Sequence, residues 1–163
     1  MKKIAFIGMM GSGKSTIGKM LSDRIKLDFF CTDEFIEKKY NKSISDIFKE
    51  NGEKYFRRVE TEAIKELSEK RDIVLSTGGG VVLNKSNIDL LRENNFLIIC
   101  LNRDIEKIIE NISIENRPLI KNDINNLRKI YKERELLYKK YSDIIINNDD
   151  NIDETLEKLI NIL

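Results

Sequence analysis

Residues 8–16 read Gly-Met-Met-Gly-Ser-Gly-Lys-Ser-Thr, the spacing G-x-x-x-x-G-K-[ST]. No other stretch constrains the fold as tightly, because this one works only between a strand and a helix. Gly8, Gly11 and Gly13 permit positive φ and a tight curl. A curled backbone gathers N–H groups into a concave nest for a phosphate. Lys14 adds a point charge that reaches the β- and γ-phosphates, and the Ser15 hydroxyl is a natural Mg²⁺ ligand. The flanks have the required character. Residues 3–7, Lys-Ile-Ala-Phe-Ile, predict a short buried strand. Ile17, Met20, Leu21 and Ile25 then recur as one face of a helix, whose positive dipole end faces the same anion. This context separates the loop from a glycine-rich turn that happens to carry a lysine. It implies a bound nucleoside triphosphate with Mg²⁺.

The rest of the chain alternates in the same way. Apolar runs predict strands over 28–31, 73–76, 96–101 and 143–147, making five with the first. Helical spacing predicts helices over 32–40, with Thr32 or Asp33 as N-cap, and from 43 until Asn51-Gly52 breaks the pattern. Further helices are predicted over 53–70, 86–93, from about 104, over 124–141, and after 151. Residues 111–123 are polar, hold the only proline, Pro118, and are expected to form a mobile surface segment. Strands alternating with amphipathic helices predict an α/β fold with a parallel sheet covered on both faces. The 163 residues, without repeat or linker, are expected to form a single domain over 1–163.

Composition removes several function classes. With 29 Lys and Arg against 28 Asp and Glu, no basic field calls for a nucleic acid. There is no histidine, so imidazole catalysis, histidine metal ligation and phosphohistidine chemistry are excluded. Cys31 and Cys100 form no C-x-x-C pair and are expected to be free, buried thiols. The short N-terminus enters a strand at once and no apolar run is long enough to span a bilayer. No membrane association and a cytoplasmic compartment are the default expectations.

In open α/β sheets ligands collect at strand C-termini, which directs attention to a few side chains. Asp33 follows the second strand and is placed either to take a hydroxyl proton or to cap a helix. Arg57 and Glu60, three residues apart, share a helix face. They form either a surface ion pair or, because Phe56 and Val59 bracket them, a partly buried guanidinium–carboxylate fork. Gly78, Gly79 and Gly80 follow the third strand. Three consecutive glycines are entropically costly and make sense where backbone must come close to a ligand. Arg117, in the polar segment, is either an ordinary exposed arginine or a lid residue closing over triphosphate. Arg134 falls inside the apolar stripe of Leu127, Ile130, Tyr131, Leu137, Tyr138 and Tyr141. A charge facing a core needs a carboxylate or an anionic ligand.

These pieces together resemble the shikimate kinase family over nearly the whole chain. The motifs, in order, are G-x-x-G-S-G-K-S-T at Gly8 to Thr16, T-D-x-x-I-E at Thr32 to Glu37 and I-x-D-I-F at Ile44 to Phe48. They continue with G-E-x-x-F-R-x-x-E at Gly52 to Glu60, S-T-G-G-G at Ser76 to Gly80, R-P-L at Arg117 to Leu119 and R-x-x-x-Y at Arg134 to Tyr138. The resemblance implies a three-layer P-loop kinase fold with sheet order 2-3-1-4-5 and a mobile lid at about 111–123. It implies a monomer that moves the ATP γ-phosphate to the 3-hydroxyl of shikimate, an acceptor region at about 32–62, and Mg²⁺ as cofactor. Gly11, Ser12, Gly13, Lys14, Ser15 and Thr16 would hold ATP, with Ser15 on the metal. Asp33 would act as or near the base, and Arg57 and Arg134 would hold the acceptor carboxylate. Phe48 and Phe56 would pack on its ring, and Glu60 would orient Arg57. Gly78, Gly79 and Gly80 would give backbone contacts, and Arg117 would be the lid arginine.

Three positions depart from the family pattern. Cys31 stands where D-T-D has its first Asp, which implies weaker or altered Mg²⁺ binding. Ile109, Glu110 and Asn111 occupy the region of an adenine-packing arginine, and 147–151 lacks a basic or proline residue. The rival readings are another small-molecule kinase of this fold, gluconate-kinase-like or nucleotide-kinase-like, and a nucleotide-binding partner module that has lost catalysis. The carboxylate-binding pattern argues against a nucleotide acceptor, and the intact Lys14, Ser15, Asp33, Arg57, Arg117 and Arg134 argue against the second.

Overall fold

A computed structural model describes residues 2–114, 124–149 and 151–163. Among these residues there are five strands: β1 (Lys3–Ile7), β2 (Asp28–Cys31), β3 (Ile73–Ser76), β4 (Leu97–Asn102) and β5 (Ile144–Asn147). All pair in parallel in the order β2-β3-β1-β4-β5. Helices α1 (Lys14–Ile25), α2 (Thr32–Tyr40), α3 (Ile44–Ser68), α4 (Lys85–Glu93), α5 (Ile105–Ile114), α6 (Ile124–Tyr141) and α7 (Ile152–Ile162) cover the sheet.

The period-two alternation of a strand sorts its side chains to opposite faces, and β1 shows it directly. Ala5 and Ile7 join Ile64 and Leu67 of α3, Ile88 and Leu91 of α4, and Leu127, Tyr138 and Tyr141 of α6 in one core. Ile4 and Phe6 join Ile17 and Leu21 of α1 and Leu156 and Leu159 of α7 in the other. A third cluster, Ile36, Ile47, Phe56, Val59 and Ala63, packs α2 against α3 beyond the sheet edge. Because every strand is parallel, every strand C-terminus lies on one edge, and the loops of the site all leave from there.

Local details differ from the sequence expectations. The break expected at Asn51-Gly52 is present, as a kink that joins two helical arms. Gly52 adopts φ 79° and ψ 172°, and α3 resumes immediately. Neither Thr32 nor Asp33 caps α2; Cys31 holds the cap position with no side-chain bond. The helix starts as soon as β2 ends, so the Thr32 hydroxyl donates to Ser76 O on β3 at 3.1 Å instead. Both cysteines are free, but only Cys100 is buried; Cys31 is half-exposed at the end of an edge strand. α5 continues to Ile114, four residues into the segment expected to be irregular, while the rest of that segment up to 123 lies outside the described residues. Among the described residues no helix is long and apolar enough to cross a membrane.

Candidate active site

The phosphate loop leaves β1 at Ile7 and feeds α1 at Lys14. Gly8, Gly11 and Gly13 all take positive φ, at 142°, 79° and 94°, so the curl requires them. Lys14 folds back into it, its Nζ donating to Gly8 O at 2.9 Å and Met9 O at 2.8 Å. Burial pushes its pKa down to about 8, against the opposing pull of Asp33. The loop lysine is therefore held by carbonyl dipoles in a dry place, where a phosphate would be a far better partner. Ser12 is fully buried, and among the described residues its Oγ has no partner. Thr16 is exposed beside Ser15 on a shallow face that Lys19, Phe29 and Glu34 complete.

The Ser15 hydroxyl lies 3.0 Å from Ser76 Oγ and 3.9 Å from Cys31 Sγ. Among the described residues no three His, Cys, Asp or Glu side chains converge on a metal position. That donor set fits Mg²⁺ only as a cation carried mainly by phosphate and water, the usual manner for this ion. Ser15 provides a hard oxygen, and the softer Cys31 thiol stands close by where a carboxylate would be a better neighbour.

Beside the loop opens a cleft of about 260 Å³. It brings together Asp33 from α2, Phe48, Phe56, Arg57 and Glu60 from α3, Gly78, Gly79 and Gly80 after β3, and Arg134 from α6. The sequence had scattered these over about a hundred residues. The kink at Gly52 lets both arms of α3 face the cleft, and the Phe48 and Phe56 rings meet there with centroids 4.5 Å apart. Arg57 lies over the Phe56 ring at 5.2 Å. Its Nη1 donates to Glu60 Oε2 at 2.8 Å, and Glu53 Oε1 accepts from its Nε and Nη2 at 3.4 and 3.3 Å. The fork is therefore partly buried, with Glu60 fully inside and Arg57 at 20% side-chain exposure. Burial raises the Glu60 carboxyl, and the Arg57 charge and hydrogen bond pull it back. Burial likewise raises Asp33, opposed by Lys14 and then Arg57.

The three glycines are required by space rather than by dihedral angle, since none has positive φ. A Cβ on Gly78 would fall 2.9 Å from Glu60 Oε1 and 3.0 Å from Asp33 Oδ1. One on Gly79 would sit 3.2 Å from Met10 N, and one on Gly80 would overlap the Arg57 guanidinium. Tyr138, one turn beyond Arg134, donates from its hydroxyl to Gly79 O at 2.5 Å, and burial pushes its pKa up to about 12. Arg117 lies outside the described residues.

Sequence reasoning assigned no role of their own to four contributors. Glu53 entered only as a letter of the G-E-x-x-F-R-x-x-E motif, although its i,i+4 spacing to Arg57 was a usable signal. Tyr138 was read as core, Ser76 as the end of a strand, and Asn148 as one polar residue in a polar loop. Asn148 Nδ2 donates to Ser12 O at 2.9 Å.

Residues 10–163 match the family model for shikimate kinase. The chain is 44% identical over 161 residues to a shikimate kinase of Clostridium botulinum (strain Alaska E43 / Type E3), covering 99% of this chain and 96% of that one. A shikimate kinase of Dictyoglomus turgidum is 44% identical over 163 residues, covering 96% of this chain and 94% of that one. The structure superposes on a shikimate kinase from Acinetobacter baumannii solved in complex with shikimate. The TM-score is 0.91, with 29% identity over 99% of this chain and 92% of that one. A gluconokinase from Sinorhizobium meliloti superposes less well, with a TM-score of 0.63 and 15% identity over 99% of this chain and 94% of that one, a likeness of fold alone. On sequence, fold and cleft together, this chain belongs to the shikimate kinase family.

Proposed function

We propose that this chain transfers the γ-phosphoryl group of ATP to the 3-hydroxyl of shikimate, giving shikimate 3-phosphate and ADP, as a cytoplasmic monomer. The observation that supports it best is one cleft, opening beside the phosphate loop, that joins the Asp33 carboxylate to the Arg57 and Arg134 guanidiniums. That set suits a small acid bearing hydroxyls. The amides from Gly11 to Thr16 hold the triphosphate, and Lys14 exchanges its two carbonyl partners for phosphate oxygens. Arg57 and Arg134 grip the carboxylate, the first through paired N–H bonds. Glu60 and Glu53 keep Arg57 in position. Phe48 and Phe56 pack on the ring, and the bare backbone of Gly78, Gly79 and Gly80 lets it come close.

Burial makes Asp33 a stronger proton acceptor than an exposed carboxylate. As the acceptor oxygen forms its bond to the γ-phosphorus, its proton passes to Asp33. The bond to the bridging oxygen breaks, and ADP leaves with the electron pair. Mg²⁺, held by Ser15, would neutralise charge on the β- and γ-phosphates. By its R-P-L motif, Arg117 in a lid at about 111–123 would add positive charge to the same groups, and the acceptor region is at about 32–62.

The test is ADP release from Mg-ATP by purified protein with shikimate, with gluconate, and with neither, using Lys14→Ala as the blank. Turnover that requires shikimate and vanishes in the blank is expected. Turnover with gluconate alone would replace the acceptor, and shikimate binding without ADP would turn suspicion on Cys31 beside Ser15.

A further inference from the structure

Asn148 follows the last strand and does not line the acceptor cleft, yet it is buried, at 7% exposure. Its backbone N–H donates to Asn102 O at 2.8 Å, which locks it between the ends of β4 and β5. From there its side-chain amide reaches across the sheet edge and donates to Ser12 O inside the phosphate loop at 2.9 Å. The approach is close enough that a Cβ on Gly13 would lie 2.6 Å from Asn148 Nδ2. Gly13 thus has two reasons to be glycine: its φ of 94° and this neighbour.

The carbonyl of Ser12 and the N–H of Gly13 belong to one planar trans peptide, so they point in opposite directions. Holding the carbonyl toward Asn148 turns the Gly13 N–H away from β5. Without that bond the peptide, which turns about ψ of Ser12 and φ of Gly13, meets little resistance on its Gly13 side, since glycine permits many dihedral combinations. We propose that Asn148 is a positioning residue for the nucleotide: it fixes the Ser12–Gly13 peptide so that its N–H is already aimed at phosphate. The inference rests on the reading of residues 8–16 as the triphosphate site.

ADP and shikimate binding to the full chain, measured separately by calorimetry, tests this with Asn148→Ala and Asn148→Asp. Both variants are expected to bind ADP about tenfold more weakly, the scale of one lost neutral hydrogen bond, and shikimate as before. Asn148→Asp adds a signature that a merely structural role would not give. Its carboxylate repels Ser12 O when ionised and donates to it when protonated. The gap to the parent in ADP affinity should therefore close as pH falls through the carboxyl's titration, while the gap for Asn148→Ala stays constant. ADP affinity equal to the parent in both variants would overturn the role of Asn148 and leave the loop assignment intact. Equal loss for ADP and shikimate would mark Asn148 as a general fold contact and overturn it too. Failure of the parent to bind ADP would overturn both readings.

Discussion

Lys14 carries a charge in a place that does not favour one. Burial lowers its pKa to about 8 from an ordinary 10.5, and its two partners are neutral carbonyls. A bound phosphate supplies the missing countercharge and must raise the pKa again. Above pH 8 the free chain has begun to lose the proton that the complex retains, so nucleotide binding takes one up. ADP affinity is therefore expected to fall as pH rises beyond about 8, by at most about tenfold per unit for one proton. Calorimetry at several pH values, in buffers of different ionisation enthalpy, reads both the slope and the uptake. Flat affinity from pH 7 to 10 would mean that Lys14 is not the phosphate partner. The position of this lysine was legible in the sequence from its spacing alone. Its inward fold was not, because that depends on which carbonyls the curled loop turns toward it. Cys31 was legible only as a departure from a pattern; its place against Ser15 depends on α2 starting the moment β2 ends.

The glycine run after β3 works through the helix beside it. Sequence shows where Cβ atoms are missing but not what occupies the space, so Gly78, Gly79 and Gly80 were readable as a close approach without a partner. The structure gives each a different neighbour, and Gly80 faces the guanidinium of α3. Its φ of −91° and ψ of 0° suit any residue, so Gly80→Ala acts by volume. Arg57 must swing off, breaking its 2.8 Å bond to Glu60 and leaving that carboxylate buried. Shikimate affinity is expected to fall about tenfold or more, the cost of losing a charged hydrogen bond, with ADP affinity within about twofold of the parent. A Gly80→Ala protein that binds shikimate normally would show that Arg57 has room to move and does not depend on this loop. The kink in α3 was legible in part. Asn51-Gly52 marked the breaker and helical spacing resumed at Glu53, but only the structure shows both arms sharing one cluster with Ile36.

At the scale of the molecule, the sheet order was legible only through the family resemblance, since apolar strands alternating with helices predict a parallel sheet but not which strand lies where. The order matters because β1 lies between β3 and β4, so the phosphate loop has the acceptor loop on one side and the Asn148 clamp on the other. On the proposed reading the two substrates meet over one sheet edge while depending on different helices for their binding groups. Arg134 tests that division. It comes from α6, whose neighbouring residues Leu127, Tyr138 and Tyr141 are built into a core, and it lines the acceptor cleft rather than the phosphate loop. A half-buried cation adds little to stability once its desolvation is counted, and a long apolar side chain fills the same space. Arg134→Met is therefore expected to leave the melting temperature of the ligand-free protein unchanged or raised. Shikimate affinity should fall about ten- to hundredfold, the range for a hydrogen-bonded charge pair, and ADP affinity should stay within about twofold. Thermal melts with and without each ligand separate the three quantities, because a ligand stabilises in proportion to how tightly it binds the folded chain. A lower melting temperature with undiminished stabilisation by shikimate would make Arg134 a structural ion and leave Arg57 alone to hold the acceptor.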